Sequence, residues 1–166
     1  IKIASYVGES TEAQTAEWEY LVGISNKLGL SISDTAQAYT KFAVSANSVG
    51  VSLQETKYVF EAVAKASRAY GLGADDINGV FRALEQMYSK GQVYAEELRQ
   101  QLGERLPGAV SIFAQGMGIS VEEMNKRLER GLVTAGDEMT NFARRLGALT
   151  SPGAEAASDG VQAAEA

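Results

Sequence analysis

The residues of this chain with the most catalytic potential are carboxylates. Glu96-Glu97 and Glu122-Glu123 are adjacent acidic pairs, and two carboxylates facing each other across a cleft can act as acid and base in glycoside hydrolysis. Neighbours in sequence do not face each other, however. Both pairs also stand where a helix is expected to begin, and there negative charge offsets the positive end of the helix dipole. That structural role is sufficient. Cysteine and histidine are absent, which removes thiol nucleophiles, disulfides, the usual zinc ligands and the commonest general base. Asp76-Ile77-Asn78-Gly79 does not make a calcium loop, because its glycine comes too early and the rest of the twelve-residue ligand set is missing. Gly71-x-Gly73 is too short for a dinucleotide fingerprint and follows a helical pattern instead of a strand. The expectation is no catalysis, no cofactor and no metal ion.

The elements around these residues are helical. Leu28-Gly29-Leu30-Ser31, Val49-Gly50-Val51-Ser52, Tyr70-Gly71-Leu72-Gly73 and Met117-Gly118-Ile119-Ser120 share one layout: apolar, glycine, apolar, small. Each predicts a helix-to-helix corner, in which the glycine takes the left-handed conformation and the next apolar residue packs back on the last turn. Gly29, Gly50 and Gly71 are evenly spaced, but the spacing fails afterwards, so local corner chemistry explains the pattern better than a solenoid. Ser52 with Glu55 and Ser120 with Glu123 have capping-box spacing. Ser31 or Ser33 could cap the second helix, and Asp75 and Asp76 could do the same work after Gly73.

Apolar stripes recur between the corners. The expected core faces are Trp18, Leu21, Val22 and Leu28; Ala36, Tyr39, Phe42, Ala46 and Val49; Leu53, Phe60, Val63, Ala66 and Tyr70; Ile77, Val80, Phe81, Leu84, Met87 and Tyr88. Val110, Phe113, Ala114 and Met117 mark a short helix, and Val121, Met124 and Leu128 another, ended by Gly131. Met139, Phe142, Leu146 and Leu149 lie on a last helix from Asp137 to Leu149. Ala62, Ala64 and Ala69 suggest that the third helix sits centrally, since small residues let neighbours approach. The fold class is therefore all-α, a compact bundle of seven to eight short helices with no sheet. Residues 1–10 read as an extended arm, 11–149 as the helical domain, and 150–166 as a flexible acidic linker rich in Ala, Gly and Ser.

The stretch Lys90–Ala109, KGQVYAEELRQQLGERLPGA, is the most distinctive. A helix should start near Tyr94, with Leu98, Leu102 and Leu106 on one buried face, and stop by Leu106 because Pro107 cannot continue it. Gly103 costs roughly 1 kcal/mol inside a helix relative to alanine, and is expected to admit a neighbouring helix, with Pro107 starting the next one. This stretch resembles the tape-measure domain of phage and prophage tail proteins, in which a segment of the form KG-x-V-x-AEELR-x-QLGERLPGA precedes a second helix, an MG corner and an acidic helix. VSIFAQGMGISVEEMNKRLERGLV continues in that order, and the likeness runs more weakly from Leu28 to about Phe142. Its signature positions are Glu96, Glu97, Leu98, Arg99, Gln101, Leu102, Gly103, Glu104, Arg105, Leu106, Pro107 and Gly108, with corners at Gly29, Gly50, Gly71 and Gly118.

The resemblance implies a structural module of tail length determination and tube assembly. Its implied partners are tail tube proteins, tail tip or initiator proteins, tail assembly chaperones and other copies of itself, in the virion tail or in host cytoplasm during assembly. Some members of such families carry peptidoglycan-cleaving domains, and lytic transglycosylases place a catalytic Glu before Ser, as in Gly8-Glu9-Ser10. The companion Gly-Leu-Met-Gln-type motif is missing. A cell-wall hydrolase segment and a generic helical adaptor are the rival readings.

Composition bounds the rest. One domain fits 166 residues, since a chain of this size buries roughly 70% of its unfolded surface. A net charge of −6 opposes sequence-specific nucleic-acid binding, which relies on clustered Lys and Arg. No stretch reaches the roughly 20 apolar residues of a membrane span, and no signal peptide is visible. The chain begins at Ile1 without an initiator methionine and reads as an excised piece of a longer protein.

Overall fold

The computed structural model describes residues 11–150. The arm expected over 1–10 and most of the linker expected over 150–166 lie outside the described residues. Seven α-helices occur in chain order: α1 (Thr11–Leu28), α2 (Ile32–Ser48), α3 (Leu53–Ala69), α4 (Ala74–Lys90), α5 (Ala109–Met117), α6 (Val121–Glu129) and α7 (Asp137–Thr150). A π-helix, Glu96–Leu102, stands between α4 and α5. The described residues contain no strand, only an isolated antiparallel bridge between Gln92 and Thr134.

The corners fold the chain back because each closes the end of a helix on itself. The residue after the glycine donates its amide five residues back: Leu30 to Ser25 (3.0 Å), Val51 to Ala46 (3.1 Å), Leu72 to Ser67 (3.0 Å) and Ile119 to Ala114 (3.0 Å). That bond requires a left-handed residue between them, and Gly29, Gly50, Gly71 and Gly118 all have positive φ. Leu132 to Arg127 (2.9 Å) makes a fifth corner around Gly131. Ser31, Ser52 and Ser120 then cap α2, α3 and α6, each accepting at 3.1 Å from the amide three residues on. The return half of the capping boxes is different from expectation: Glu55 turns to Thr140 and Glu123 to Arg127. Asp75 and Asp76 do not cap α4. Gly73 occupies that position without a side-chain bond.

α3 has the most neighbours, packing against α1, α2, α4 and α7. Its core is aromatic. Phe60 meets Tyr39 edge-on at 5.0 Å and stacks on Phe81 at 4.4 Å, while Phe42 meets Phe81 and Tyr88 edge-on. Each such pair contributes about 0.5–1.5 kcal/mol beyond area burial. A second pair, Phe113 stacked on Phe142 at 5.1 Å, locks α5 to α7. There the backbones nearly touch: a Cβ on Gly116 would come within 2.8 Å of the Asn141 carbonyl oxygen. Ala62 of α3 faces Gly147 of α7 in the same manner with more room, 3.8 Å to a Cβ placed there. Ala64 is buried, but Ala69 is exposed and takes no part.

Several expected core positions are on the surface instead. Trp18 is 42% exposed, and Val49, Tyr70, Val121 and Leu149 are also exposed. Four of these five lie in the last or first turn of a helix or just beyond it, where the apolar stripe has run past its packing partner. On α1 the positions next to Trp18 are filled differently, with Glu17 buried and paired to Lys57 of α3.

Candidate interaction surfaces and the signature segment

The segment after α4 is a clamp, built from its backbone outward. Gly91 ends α4 in the left-handed region. Val93 then donates to the Val133 carbonyl at 2.8 Å, and Ala135 donates back to Gly91 at 3.1 Å. These bonds tie the segment to the loop before α7. The helix that follows is wider than expected and ends earlier, at Leu102 instead of Leu106. It closes when the Gly103 amide reaches the Leu98 carbonyl, five residues back, at 3.0 Å. A Cβ on Gly103 would collide with the Arg99 carbonyl oxygen. Gly103 therefore accommodates its own preceding turn, not a neighbouring helix.

Leu98, Leu102 and Leu106 are fully buried, the first two on the π-helix and the third in the turn beyond it. Leu106-Pro107-Gly108-Ala109 forms a β-turn, with Ala109 donating to Leu106 at 3.1 Å and Gly108 at φ 83 and ψ 11. Proline followed by a left-handed glycine is the preference of a type II turn. Pro107 thus sets up the turn, and α5 starts at Ala109.

The polar signature residues hold neighbouring elements. Glu97, only 2% exposed, is ion-paired to Lys90 at the end of α4. Arg99 donates to Asn125 of α6. Arg105 lies over Gly79 of α4, with Asp76 at 3.8 Å, and donates to the Gln101 carbonyl at 2.8 Å. Glu96 and Glu104 are exposed. The Glu97 contact holds Lys90 above its ordinary pKa, and the Lys90 ammonium also lies 5.2 Å from the Tyr94 ring centre. Tyr88 behaves similarly for another reason: burial first, then the Glu55 carboxylate, push its phenol well above the usual range.

The carboxylates that could do chemistry do not converge on one. Glu97 is buried and paired, Glu123 accepts from Arg127 at 3.1 Å within α6, and Glu96 and Glu122 are exposed. Glu9 and Ser10 lie outside the described residues. Among the described residues, no three His, Cys, Asp or Glu side chains gather as metal ligands, and no helix is long and apolar enough to cross a membrane. Two surface depressions stand out. One is a cleft between α2 and α4 lined by Asp34, Lys41, Asn78 and Glu85. The other, of about 670 Å³, lies between α1, α3 and α7.

Sequence reasoning missed the Glu97 and Glu17 ion pairs, the π-helix, and the packing roles of Gly79 and Gly116. A signal existed for Gly116 alone. In Gly116-Met117-Gly118 one corner needs one glycine, leaving the other to be explained by close packing.

The described residues thus form a folded-back helical body whose most distinctive segment is spent on internal clamping. A family model described as tape measure protein matches residues 4–164, and the chain belongs to that family. Among curated proteins, one described as "Probable tape measure protein" of Salmonella phage Felix O1 (isolate Felix O1-VT1) is 43% identical over 67 residues. The match covers 40% of this chain and 9% of that relative, so the chain spans a small part of the relative's length. No solved structure matches.

Proposed function

We propose that this chain is a non-enzymatic assembly module of a phage or prophage tail tape-measure protein, acting in tail length determination and tail tube assembly. The family match over residues 4–164 carries the reading. The fold refines it. A ruler gains length from extended helix at about 1.5 Å per residue, whereas the corners at Gly29, Gly50, Gly71 and Gly118 return the chain on itself. The corners favour a compact domain over a stretch of the rod, and our reading sets that domain toward one end of the tape, near the tail tip or initiator complex. Its partners are tail tube and tip proteins, assembly chaperones and other copies of itself, in the virion tail and in host cytoplasm during assembly.

Two assays test this. A peptidoglycan zymogram of the purified chain is expected to stay uncleared, and a cleared band at its mass would restore the hydrolase reading. Cross-linking in lysates assembling tails, followed by mass spectrometry, is expected to join the chain to tail tube or tip proteins. Cross-links to none of the tail components would overturn the assembly role.

A further inference from the structure

The groove between α1, α3 and α7 has a composition unlike that of the chain as a whole. Leu28, Tyr58, Ala62 and Gly147 give it an apolar floor, while Lys27, Lys65 and Arg68 stand on its rim against one acid, Glu61. This net positive lip belongs to a chain of net charge −6. None of the three cations makes an ion pair with a described residue, although Lys57, Lys90, Arg105 and Arg127 all do. Tyr58 is 43% exposed within it. Tyrosine supplies rigid contact area together with a hydrogen-bonding tip, the combination that anchors interfaces.

We propose that this groove docks an acidic amphipathic helix of a different protein, its apolar stripe on Tyr58, Ala62 and Leu28 and its flanking carboxylates on Lys27, Lys65 and Arg68. The assignment deepens the assembly reading and rests on it only in taking the occupant to be a protein. Charge complementarity selects the occupant: carboxylates meet three cations that pair with no described residue, and a basic helix would be repelled. Dimensions agree with a helix laid along α3. Tyr58 and Arg68 are ten residues apart, so at 1.5 Å per residue the rim runs about 15 Å, or roughly three turns of an occupant.

The test uses the full chain and a model peptide, a 15-residue helix with a leucine stripe flanked by glutamates, beside a second version with lysines in place of the glutamates. Titration calorimetry at low salt is expected to show saturable binding of the glutamate peptide, about tenfold or more weaker for the lysine peptide. Lys65→Glu/Arg68→Glu, at exposed positions and checked for unchanged circular dichroism, should reverse that preference. Tyr58→Ala should weaken both. No binding of the glutamate peptide up to millimolar concentration, or equal affinity for both peptides, would overturn the proposal. So would self-association of the chain that the double reversal abolishes in sedimentation, which would assign the groove to a second copy. Carbodiimide cross-links from Lys65 to the acids of residues 151–166 of the same chain would overturn it as well. Each of these failures leaves the tail-assembly reading intact, since that reading is scored on tails and not on the peptide.

Discussion

The amide of Gly103 lies 3.0 Å from the carbonyl oxygen of Leu98, five residues earlier, and that bond closes the π-helix at the centre of the signature segment. The closure leaves no room for a Cβ at Gly103 beside the Arg99 carbonyl oxygen. In an ordinary helix Gly→Ala gains up to about 1 kcal/mol. Here the sign reverses. Gly103→Ala is expected to lose about 1–3 kcal/mol, the usual cost of overpacking, read as a lower urea midpoint with unchanged slope.

Two further glycines separate close packing from open space. Gly116→Ala would drive a methyl toward the Asn141 carbonyl at 2.8 Å and separate Phe113 from Phe142, so a loss of about 1–3 kcal/mol is expected. Gly147→Ala meets only Ala62, at 3.8 Å. It should be neutral or gain up to about 1 kcal/mol through helix propensity. Thermal unfolding of the two variants side by side checks the contrast.

The buried Glu97 carboxylate depends on Lys90 for compensation. Lys90→Ala leaves that charge buried and unpaired, so the melting temperature should fall. The double variant Lys90→Ala/Glu97→Leu should recover most of the loss, because leucine fills the buried Glu97 site at similar size and removes the uncompensated charge. A double variant no more stable than Lys90→Ala would mean that Glu97 packs for another reason.

Alkaline pH should destabilise the fold through two groups. The Tyr88 phenol is held above its ordinary 10.0 by burial and Glu55. A raised folded pKa contributes stability that is complete below the unfolded value and lost as pH climbs through the folded one. Lys90, raised above its ordinary 10.5 by Glu97, follows the same sign. Unfolding free energy should therefore fall above about pH 10, and Tyr88→Phe should flatten part of that fall. At neutral pH Tyr88→Phe is expected to be neutral or stabilising by about 1 kcal/mol, since the buried hydroxyl makes no hydrogen bond to a described residue. Denaturant titrations at pH 7, 10 and 11 measure both effects.

The fold was legible because its determinants are local. A glycine between two apolar residues, followed by serine, encodes a corner within one stretch of chain, and buried stripes such as Ile77, Val80, Phe81, Leu84 and Met87 follow helical periodicity. What escaped depends on how the folded elements meet, which residue type and spacing do not record. Nothing near Glu97 separates it from exposed Glu96, because burial is decided by where the π-helix meets Lys90. Trp18 read as core by residue type, yet its helix buries Glu17 against Lys57 instead. The signature segment was legible as a mark of family and not as a π-helix, since Leu98 and Leu102 keep the spacing that an α-helix would also show.

Tail length tests the central claim most directly. If residues 28–149 were rod, their in-frame deletion from the phage gene would give assembled tails shorter by about 180 Å, at 1.5 Å for each of the residues removed. A compact assembly module predicts a different result in electron micrographs: complete tails fail to form, or those that form do not shorten in proportion. Abundant tails uniformly shortened by about that length would contradict the account.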